Sequence, residues 1–209
     1  VRGLWEETAV ALGATNRRPL SYLLAKKREK YVLTNVDAIV AISEHLKGYL
    51  LSRGIDRDEI VVIPNGVDTS FFKPLPKDRG LMKELGISPE DVVIGYIGSI
   101  RKIEGLDILI DAVKHIQFQD IKVIIVGEGE YKRDLVYKIR QLKLERSVKL
   151  VKSVPHKDIL KYYSVLDIFV IPRRRFYVNE LVTPLKPLEA MAMEKCVIAS
   201  NVGLSLIHI

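Results

Sequence analysis

The strongest constraint on the fold is an alternation of short Val- and Ile-rich runs with longer amphipathic stretches, which begins near residue 36. Seven runs have strand length and lack period-two polarity, as expected for strands that are buried on both faces. They are 36–43, 61–64, 92–98, 121–127, 148–153, 168–172 and 196–202. Helical patterns separate them at 44–53, 106–116, 131–142, 158–166 and 185–194. The repeated order of strand, helix and strand predicts the α/β class, with a Rossmann-like parallel sheet flanked by helices.

The composition excludes several other classes of protein. A chain of 209 residues with 48% hydrophobic residues can bury a core, which argues against disorder and against a small disulfide scaffold. The single cysteine, Cys196, excludes an intramolecular disulfide and gives no zinc framework. No apolar run approaches the ~20 residues of a membrane span, and the start shows no signal-peptide pattern. We expect a soluble protein of a reducing compartment, or a piece of a longer one.

The charge balance narrows the choice of partner. The chain carries 33 basic and 26 acidic residues, a formal charge of +7 at pH 7, which suits nucleic acid, anionic lipid or phosphorylated ligands. A nucleic-acid binder is the weakest of these interpretations, because no basic stripe is interleaved with aromatic side chains. The densest basic runs are 26–28 and 173–175. The first run is either a solvated helix face or a contact with anionic membrane.

One segment interrupts the alternation and predicts a domain boundary. Residues 65–91 contain Pro74, Pro76 and Pro89, a charged middle and the turn-forming pair Asn65-Gly66. Only two predicted strands precede this segment, too few for a complete domain. We therefore expect residues 1–64 to be the end of a larger domain, 65–90 to be a linker, and a second domain to begin at 91.

Loops after the predicted strands are candidate ligand sites, because ligands of open parallel sheets bind at the carboxyl ends of the strands. The loop 98–105 combines small residues with Arg101 and Lys102, which suits a bound phosphate and an ordinary turn equally. The loop 127–130 is similar to the start of a dinucleotide fingerprint, but Lys132 stands where the third glycine belongs. A dinucleotide site is therefore only weakly indicated.

The richest loop follows the predicted strand 168–172 and contains Glu180, Thr183, Lys186 and Glu189. A helix is predicted to begin at Thr183 or the next residue, and Lys186 in its first turn opposes the helix dipole unless an anion is bound. The carboxylate of Glu189 could accept hydrogen bonds from ribose hydroxyls or form a salt bridge with a lysine, and both interpretations stay open. No paired-aspartate motif follows a strand, so no metal site is expected.

Taken together, the motifs resemble a retaining glycosyltransferase of family 4 with the two-domain GT-B architecture. The matching stretches are VDAIVAIS (36–43), VVIPNGVD (61–68), GYIGS (95–99), EGLDILI (104–110), VGEG (126–129), VPH (154–156) and PLEAMA (187–192). The variant ELVTPLKPLEAMA, together with VRGLWE at the start, is similar to a bacterial subgroup that is linked to surface-polysaccharide assembly. The resemblance implies that 1–64 ends an acceptor domain and 91–203 forms most of a donor domain. It also marks 204–209, which depart from the family pattern, as a non-native tail.

The resemblance also implies a donor site. Glu189 corresponds to the second glutamate of the family's E-x7-E pattern and would bind ribose. Gly98 and Ser99 would approach the diphosphate, and Val154 would lie beside the base. The remaining donor-binding positions are Gly127 and the backbone of Thr183, Leu185 and Lys186, which would hold phosphate and sugar.

Three positions depart from the family pattern. Ser99 replaces an arginine and Glu104 replaces a lysine, so Arg101 and Lys102 are expected to supply the missing charge. Leu181 stands where the first glutamate of E-x7-E belongs, one residue after Glu180. Either a one-residue slip in the loop places Glu180 at that position, or recognition of the sugar differs from the family's. Glu180, Arg101 and Lys102 are therefore the candidate catalytic residues. The family's retaining reaction uses no protein nucleophile, so cations that stabilise the departing diphosphate would dominate.

The resemblance predicts transfer of a sugar from a nucleotide-diphosphate sugar, most often UDP-linked, to a glycan or lipid-linked acceptor with retention of configuration. No cofactor or metal is expected, and the location is expected to be cytoplasmic, with possible peripheral contact at the inner face of the membrane. We expect this chain to be inactive alone. The alternative is a non-catalytic nucleotide-binding module, either a degenerate transferase, which the three departures favour, or a dinucleotide-binding domain.

Overall fold

A computed structural model describes residues 1, 4–14, 19–56, 60–116 and 120–203, so the predicted tail 204–209 lies outside the described residues. The helices are α1 (Trp5–Ala11), α2 (Leu20–Leu33), α3 (Glu44–Ser52), α4 (Arg79–Leu85), α5 (Leu106–Lys114), α6 (Lys132–Gln141), α7 (Ile159–Val165), α8 (Tyr177–Leu181) and α9 (Lys186–Ala192). The strands are β1 (Ile39–Ala41), β2 (Ile60–Val62), β3 (Val92–Ile97), β4 (Ile121–Val126), β5 (Val148–Val151), β6 (Ile168–Ile171) and β7 (Cys196–Ala199). Short 3-10 turns span Lys102–Glu104 and His156–Asp158. Within the described ranges, no helix is long and apolar enough to cross a membrane.

The chain divides into two compact units. Of the described residues, the first contains those within Val1–Asn65, Arg174–Pro184 and 201–203, and the second contains those within Gly66–Arg173 and Leu185–Ser200. In the first unit, β1 and β2 pair in parallel with Ile39 opposite Ile60. The Ser43 hydroxyl accepts a hydrogen bond from the Leu46 N–H at 3.1 Å and so caps α3. The apolar face of α3 packs on this pair of strands, together with Leu181 from α8.

The second unit is built on a five-stranded parallel sheet in the order β5-β4-β3-β6-β7. Alternate residues of β3 enter different apolar clusters: Val93 lies in one, and Ile94 and Tyr96 lie in the other. Successive strand side chains point to opposite faces, so both faces of this sheet are covered. The α/β class and the parallel, helix-flanked sheet predicted from the sequence are confirmed.

Several elements differ in detail from the sequence-based expectation. Strand β7 lies at the edge of the sheet and alternates exposed with half-buried residues, so it is not buried on both faces as predicted. The predicted linker contains α4, which begins at the cap Asp78 and ends at Gly86 in the left-handed conformation (φ 63°). Leu81 and Leu85 of this helix are buried in a core cluster of the second unit. The prolines and charged residues of this segment correctly indicated loops on both sides of α4. They also led to the prediction of a continuous linker, so the short helix was missed.

Candidate active site

Two glycines bring the carboxyl ends of β3 and β4 close together in the second unit. The Gly98 N–H donates to the Val126 carbonyl at 2.9 Å, which extends the ladder one residue beyond β3. A Cβ on Gly127 would lie 1.9 Å from the Gly98 carbonyl oxygen, and Gly127 has a φ of 151°. No side chain fits at this position, because the obstacle is backbone rather than a movable side chain. The close approach packs the Gly98 and Gly127 backbones against each other at the rim of the sheet.

A cavity of about 250 Å³ lies at this rim. Its lining consists of Ile97, Gly98, Ser99, Val126, Gly127, Glu128, Ser153, Val154 and Ile159. Four predicted donor-binding residues, Gly98, Ser99, Gly127 and Val154, are therefore brought together in one cavity. A larger cavity of about 700 Å³ lies along α4, but none of the predicted site residues lines it.

A buried charged cluster lies against the Gly98 loop. The Lys186 Nζ is 3.5 Å from the Glu104 Oε2, and the Arg173 Nε is 4.0 Å from the same oxygen. Lys186 Nζ also lies 5.3 Å from the centre of the Tyr96 ring, and the Tyr96 hydroxyl donates to the Ser99 carbonyl at 2.9 Å. The positive charge of Lys186 in the first turn of α9 is thus countered by Glu104 in this structure.

Burial shifts the pKa values of this cluster. Desolvation lowers the pKa of Lys186, with Glu104 opposing the shift, and desolvation likewise lowers the pKa of Arg173. The pKa of the Tyr96 hydroxyl is raised well above its usual value, first by burial and then by the negative charge of Glu104. The shifts share one cause, which is that the cluster is shielded from water. A low local dielectric constant strengthens electrostatic interactions with a charged ligand.

Glu189, the predicted ribose ligand, is held by a tyrosine. The buried Tyr163 hydroxyl donates to the Glu189 Oε2 at 2.8 Å. Burial and the neighbouring Glu189 charge raise the pKa of Tyr163, so the hydroxyl stays protonated and donates. The tyrosine fills one of the acceptor positions of the carboxylate, and both the ribose contact and the salt bridge to a lysine stay predictions.

The other predicted residues of the second unit occupy less enclosed positions. Arg101 is half-buried at the start of the 3-10 turn, whereas Lys102 is exposed. Leu185, 42% exposed, is the N-cap of α9, which begins at Lys186 rather than at Thr183 or Pro184 as predicted. Pro187 is the second helical residue, where its ring is tolerated because that position needs no intrahelical N–H bond.

Two predicted site residues belong to the first unit. Glu180 lies on α8, with its Oε1 3.3 Å from the Arg175 Nε. The Thr183 carbonyl accepts a hydrogen bond from the Asn65 side-chain nitrogen at 3.2 Å. Leu181 is buried in the first unit's core. The assignment of Glu180 to the position of the family's first glutamate stays a prediction.

The sequence-based reasoning missed the supporting residues. Glu104 was noted only as a departure from the family, Arg173 only as part of a basic run, and Tyr96 and Tyr163 were not considered. The sequence offered one signal for this pair, because an acid at position 104 and a lysine at position 186 carry opposite charges. No signal in the sequence identified Tyr163. In the described part of the chain, no group of three or more His, Cys, Asp or Glu residues could hold a metal ion.

Comparison with known protein families shows which family the chain belongs to. The family described as "Glycosyl transferases group 1" matches residues 78–206, which is more than half of the chain. The chain belongs to the group 1 glycosyl transferases. A second family, "Glycosyltransferase Family 4", matches residues 6–71. Six residues, 72–77, separate the two matches, and the second match begins just before α4.

Curated relatives of this glycosyl transferase have diverse names. It is 26% identical over 186 residues to the D-inositol 3-phosphate glycosyltransferase of Nocardia farcinica, covering 84% of this chain and 40% of that protein. It is 28% identical over 181 residues to the lipopolysaccharide core biosynthesis mannosyltransferase LpsB of Rhizobium meliloti, covering 83% and 48%. The chain therefore spans less than half the length of these curated relatives.

Solved structures share the fold. HepE of Anabaena, solved in complex with UDP-glucose, matches with a TM-score of 0.76 at 24% identity, covering 88% of this chain and 50% of that one. The C-terminal domain of the group 1 family protein LpcC from Francisella tularensis matches with a TM-score of 0.57 at 28% identity, covering 69% and 75%. The glycosyl transferase fold is thus supported from both sequence and structure.

Proposed function

We propose that this glycosyl transferase transfers a hexosyl or related sugar from a nucleotide-diphosphate sugar to a glycan or lipid-linked acceptor, with retention of configuration. The observation that carries the proposal is the cavity where β3 and β4 end, which Gly98, Ser99, Gly127 and Val154 line together. Ligands of open parallel sheets bind at this edge, where the strands end. The proposed membership of a surface-polysaccharide subgroup rests on the variant motif at 180–192.

The proposed donor site assigns a part of the nucleotide to each element. Gly98, Ser99 and Gly127 face the diphosphate, and Val154 lies beside the base. Glu189 accepts hydrogen bonds from the ribose, with Tyr163 holding one oxygen of its carboxylate. Thr183 and Leu185 contribute backbone groups to phosphate and sugar. UDP is the first nucleotide to test, since the neighbour HepE was solved with UDP-glucose.

The proposed reaction breaks the bond between the anomeric carbon and the diphosphate oxygen. The acceptor hydroxyl oxygen forms the new bond on the same face, and its proton passes to the departing diphosphate. Cations near the diphosphate, with Arg101 and Lys102 among the candidates, stabilise the charge that develops on the leaving group. Glu180 would contact the transferred sugar. No cofactor or metal enters the reaction as proposed.

Thermal melts with UDP, GDP, ADP and NAD test this proposal. One nucleoside diphosphate at 100 times its dissociation constant should stabilise the chain by about 2.7 kcal/mol. The shift should disappear in Glu189→Ala and persist in Glu145→Ala, which removes an exposed carboxylate from another part of the second unit. A cooperative melt that no nucleoside diphosphate moves would contradict the proposal.

A non-catalytic nucleotide-binding module is the second candidate, because Leu181 occupies the position of a family glutamate and is buried in apolar core. The two candidates differ in turnover rather than in binding. We expect the 209-residue chain to bind nucleotide without turnover, and a longer protein that contains it to release UDP from UDP-sugar when acceptor is present. Binding without UDP release in that longer protein would favour the non-catalytic candidate.

We also propose peripheral contact with anionic membrane at its cytoplasmic face. The helix α2 exposes Leu20, Leu24 and Tyr31, which share one helix face with Lys27. Apolar and basic groups on one face suit an anionic bilayer surface. Lys26 does not contribute, because its Nζ lies 2.9 Å from the buried Glu7 carboxylate. Vesicles with anionic lipid should retain the protein in flotation, and Lys27→Glu should release it, whereas equal retention by neutral vesicles would contradict the contact.

A further inference from the structure

The side chain of Lys186 lies directly against the backbone of the loop that lines the cavity. A Cβ built on Gly98 would lie 2.2 Å from the Lys186 Cε and 3.2 Å from its Nζ. The glycine therefore provides the space through which the lysine passes. Because Gly98 also lines the cavity, the Lys186 side chain packs against a residue of the cavity wall.

The ion pair that holds the ammonium is loose. Lys186 Nζ lies 3.5 Å from the Glu104 Oε2, whereas charge-assisted hydrogen bonds of this type measure about 2.7–2.9 Å. The Glu104 oxygen is buried and has no hydrogen-bond partner among the described residues. A carboxylate in this position keeps a cation nearby without saturating it, because an ammonium has three donors.

We infer that the Lys186 ammonium, oriented by Glu104, binds the diphosphate of the nucleotide donor. The inference rests on the proposed function and assigns a side-chain role to Lys186 that goes beyond its backbone. Glu104 is a positioning residue: it acts on the diphosphate through Lys186. Glu104 and Lys186 then act together. The cation that binds the diphosphate comes from α9, and not from Arg101 or Lys102 at the 3-10 turn.

The burial of its side chain favours Lys186 over Arg101 and Lys102 as the cation that binds the diphosphate. Its side chain is 20% exposed and packs over the Tyr96 ring, whereas Lys102 is exposed and Arg101 half-buried. A side chain that is already ordered loses less conformational entropy when a ligand binds. The ring face also stabilises the cation in the absence of ligand.

Titration of UDP and uridine into the 209-residue chain separates the charge contact from the rest of the site. Lys186→Gln should weaken UDP binding about 10- to 100-fold, the range for a lost hydrogen bond to a charged group, and change uridine binding less than about threefold. Lys186→Arg should retain most of the UDP affinity, since the charge remains. Lys114→Gln, an exposed lysine at the end of α5, is the matched control.

The role of Glu104 is tested by the pH dependence of UDP affinity. The groups that face Lys186 are Tyr96 from β3, Glu104 from the turn, Arg173 after β6 and Glu189 on its own helix. In Glu104→Gln the ammonium loses a counter-charge while Arg173 still repels it, so UDP affinity should fall more steeply between pH 7 and 9 than in the unaltered chain. The double variant Glu104→Gln/Lys186→Arg should bind UDP without this pH dependence, because a guanidinium stays protonated.

The possible results distinguish this inference from the proposed function. If the unaltered chain binds neither UDP nor another nucleoside diphosphate, the proposed function fails and the inference fails with it. If UDP binds and Lys186→Gln leaves its affinity unchanged, or lowers UDP and uridine equally, only the inference is overturned. A UDP-specific loss in Arg101→Gln that is absent in Lys186→Gln would overturn it as well.

Discussion

The two units use buried charge in different ways. In the first unit the buried Glu7 carboxylate has short contacts: Tyr22 donates to it at 2.6 Å, and Lys26 contacts the same oxygen at 2.9 Å. In the second unit, Glu104 faces Lys186 and Arg173 at 3.5 and 4.0 Å. The short network ties helices together, since Lys26 also donates to the Tyr49 hydroxyl on α3.

The difference between the Glu7 contacts and the Glu104 cluster indicates where a charged ligand can bind. The contacts of Glu7 and Lys26 join α1, α2 and α3, so their role is structural. The loose cluster of Glu104, Lys186 and Arg173 lies where strands end, and its apolar surroundings strengthen any new charge contact. Buried charge alone therefore does not identify a functional site, and its position beside a cavity is the further feature on which our proposal rests.

The largest expected effect concerns the apolar sheet core that supports the loose cluster. Phe169 lies on β6, is fully buried and stacks near Tyr96 and Tyr163. Phe169→Ala should lower the free energy of unfolding by about 3–5 kcal/mol, because it leaves a cavity between well-packed rings. Urea denaturation measures the loss. A change below about 1 kcal/mol would show that the second unit does not depend on this core.

The next effect compares the two lysines directly. Lys26→Met should cost about 2–3 kcal/mol, because it leaves the buried Glu7 carboxylate without its ammonium. Lys186→Met should cost at least about 1 kcal/mol less, since the Glu104 contact is long and Arg173 still faces that carboxylate. Urea denaturation of both variants makes the comparison. Equal losses would remove the distinction between the short and the loose charge contacts.

A smaller effect is expected at the tyrosine that supports Glu189. Tyr163→Phe keeps the ring in the core and removes the hydroxyl that donates to Glu189 at 2.8 Å. The free energy of unfolding should fall by about 1–2 kcal/mol, as for a lost hydrogen bond to a charged group. UDP affinity should also fall, whereas Tyr162→Phe, at the half-buried neighbouring position, should retain it. Unchanged UDP affinity in Tyr163→Phe would argue against a positioning role.

The smallest effect lies at an exposed turn of the second unit. The Asp68 carboxylate accepts hydrogen bonds from the Ser70 hydroxyl and from the Ser70 and Phe71 N–H groups, which lower its pKa. A lowered pKa stabilises the folded state above the unfolded-state pKa, and this stabilisation is lost as pH falls through the folded value. Thermal melts from pH 7 to 2.5 should show a slightly shallower decline for Asp68→Asn. An identical decline would show that the turn contributes nothing measurable.

Local patterns in the sequence predicted the scaffold better than the supporting side chains. All seven predicted strands and five predicted helices are present, with ends that differ by a few residues. The short helices α1, α4 and α8 were not predicted, since seven, seven and five residues carry too little periodicity to distinguish them from loops. Of α2, the sequence indicated only a helix face at 26–28, and not the bounds of the helix. Gly98, Ser99, Gly127 and Val154 were placed at one cavity because strand ends of a parallel sheet converge.

What the sequence alone determined was the parallel α/β sheet, since hydrophobic periodicity depends on neighbours within one element and is written in the chain. It also determined which loops carry the candidate donor site. What only the tertiary structure decided was how charges from distant elements meet: Glu104 with Lys186, and Tyr163 with Glu189. Such pairs depend on side-chain direction and burial after packing. The Lys26–Glu7 distance of 2.9 Å and the Lys186–Glu104 distance of 3.5 Å differ by less than an ångström, and the sequence pattern does not encode so small a difference.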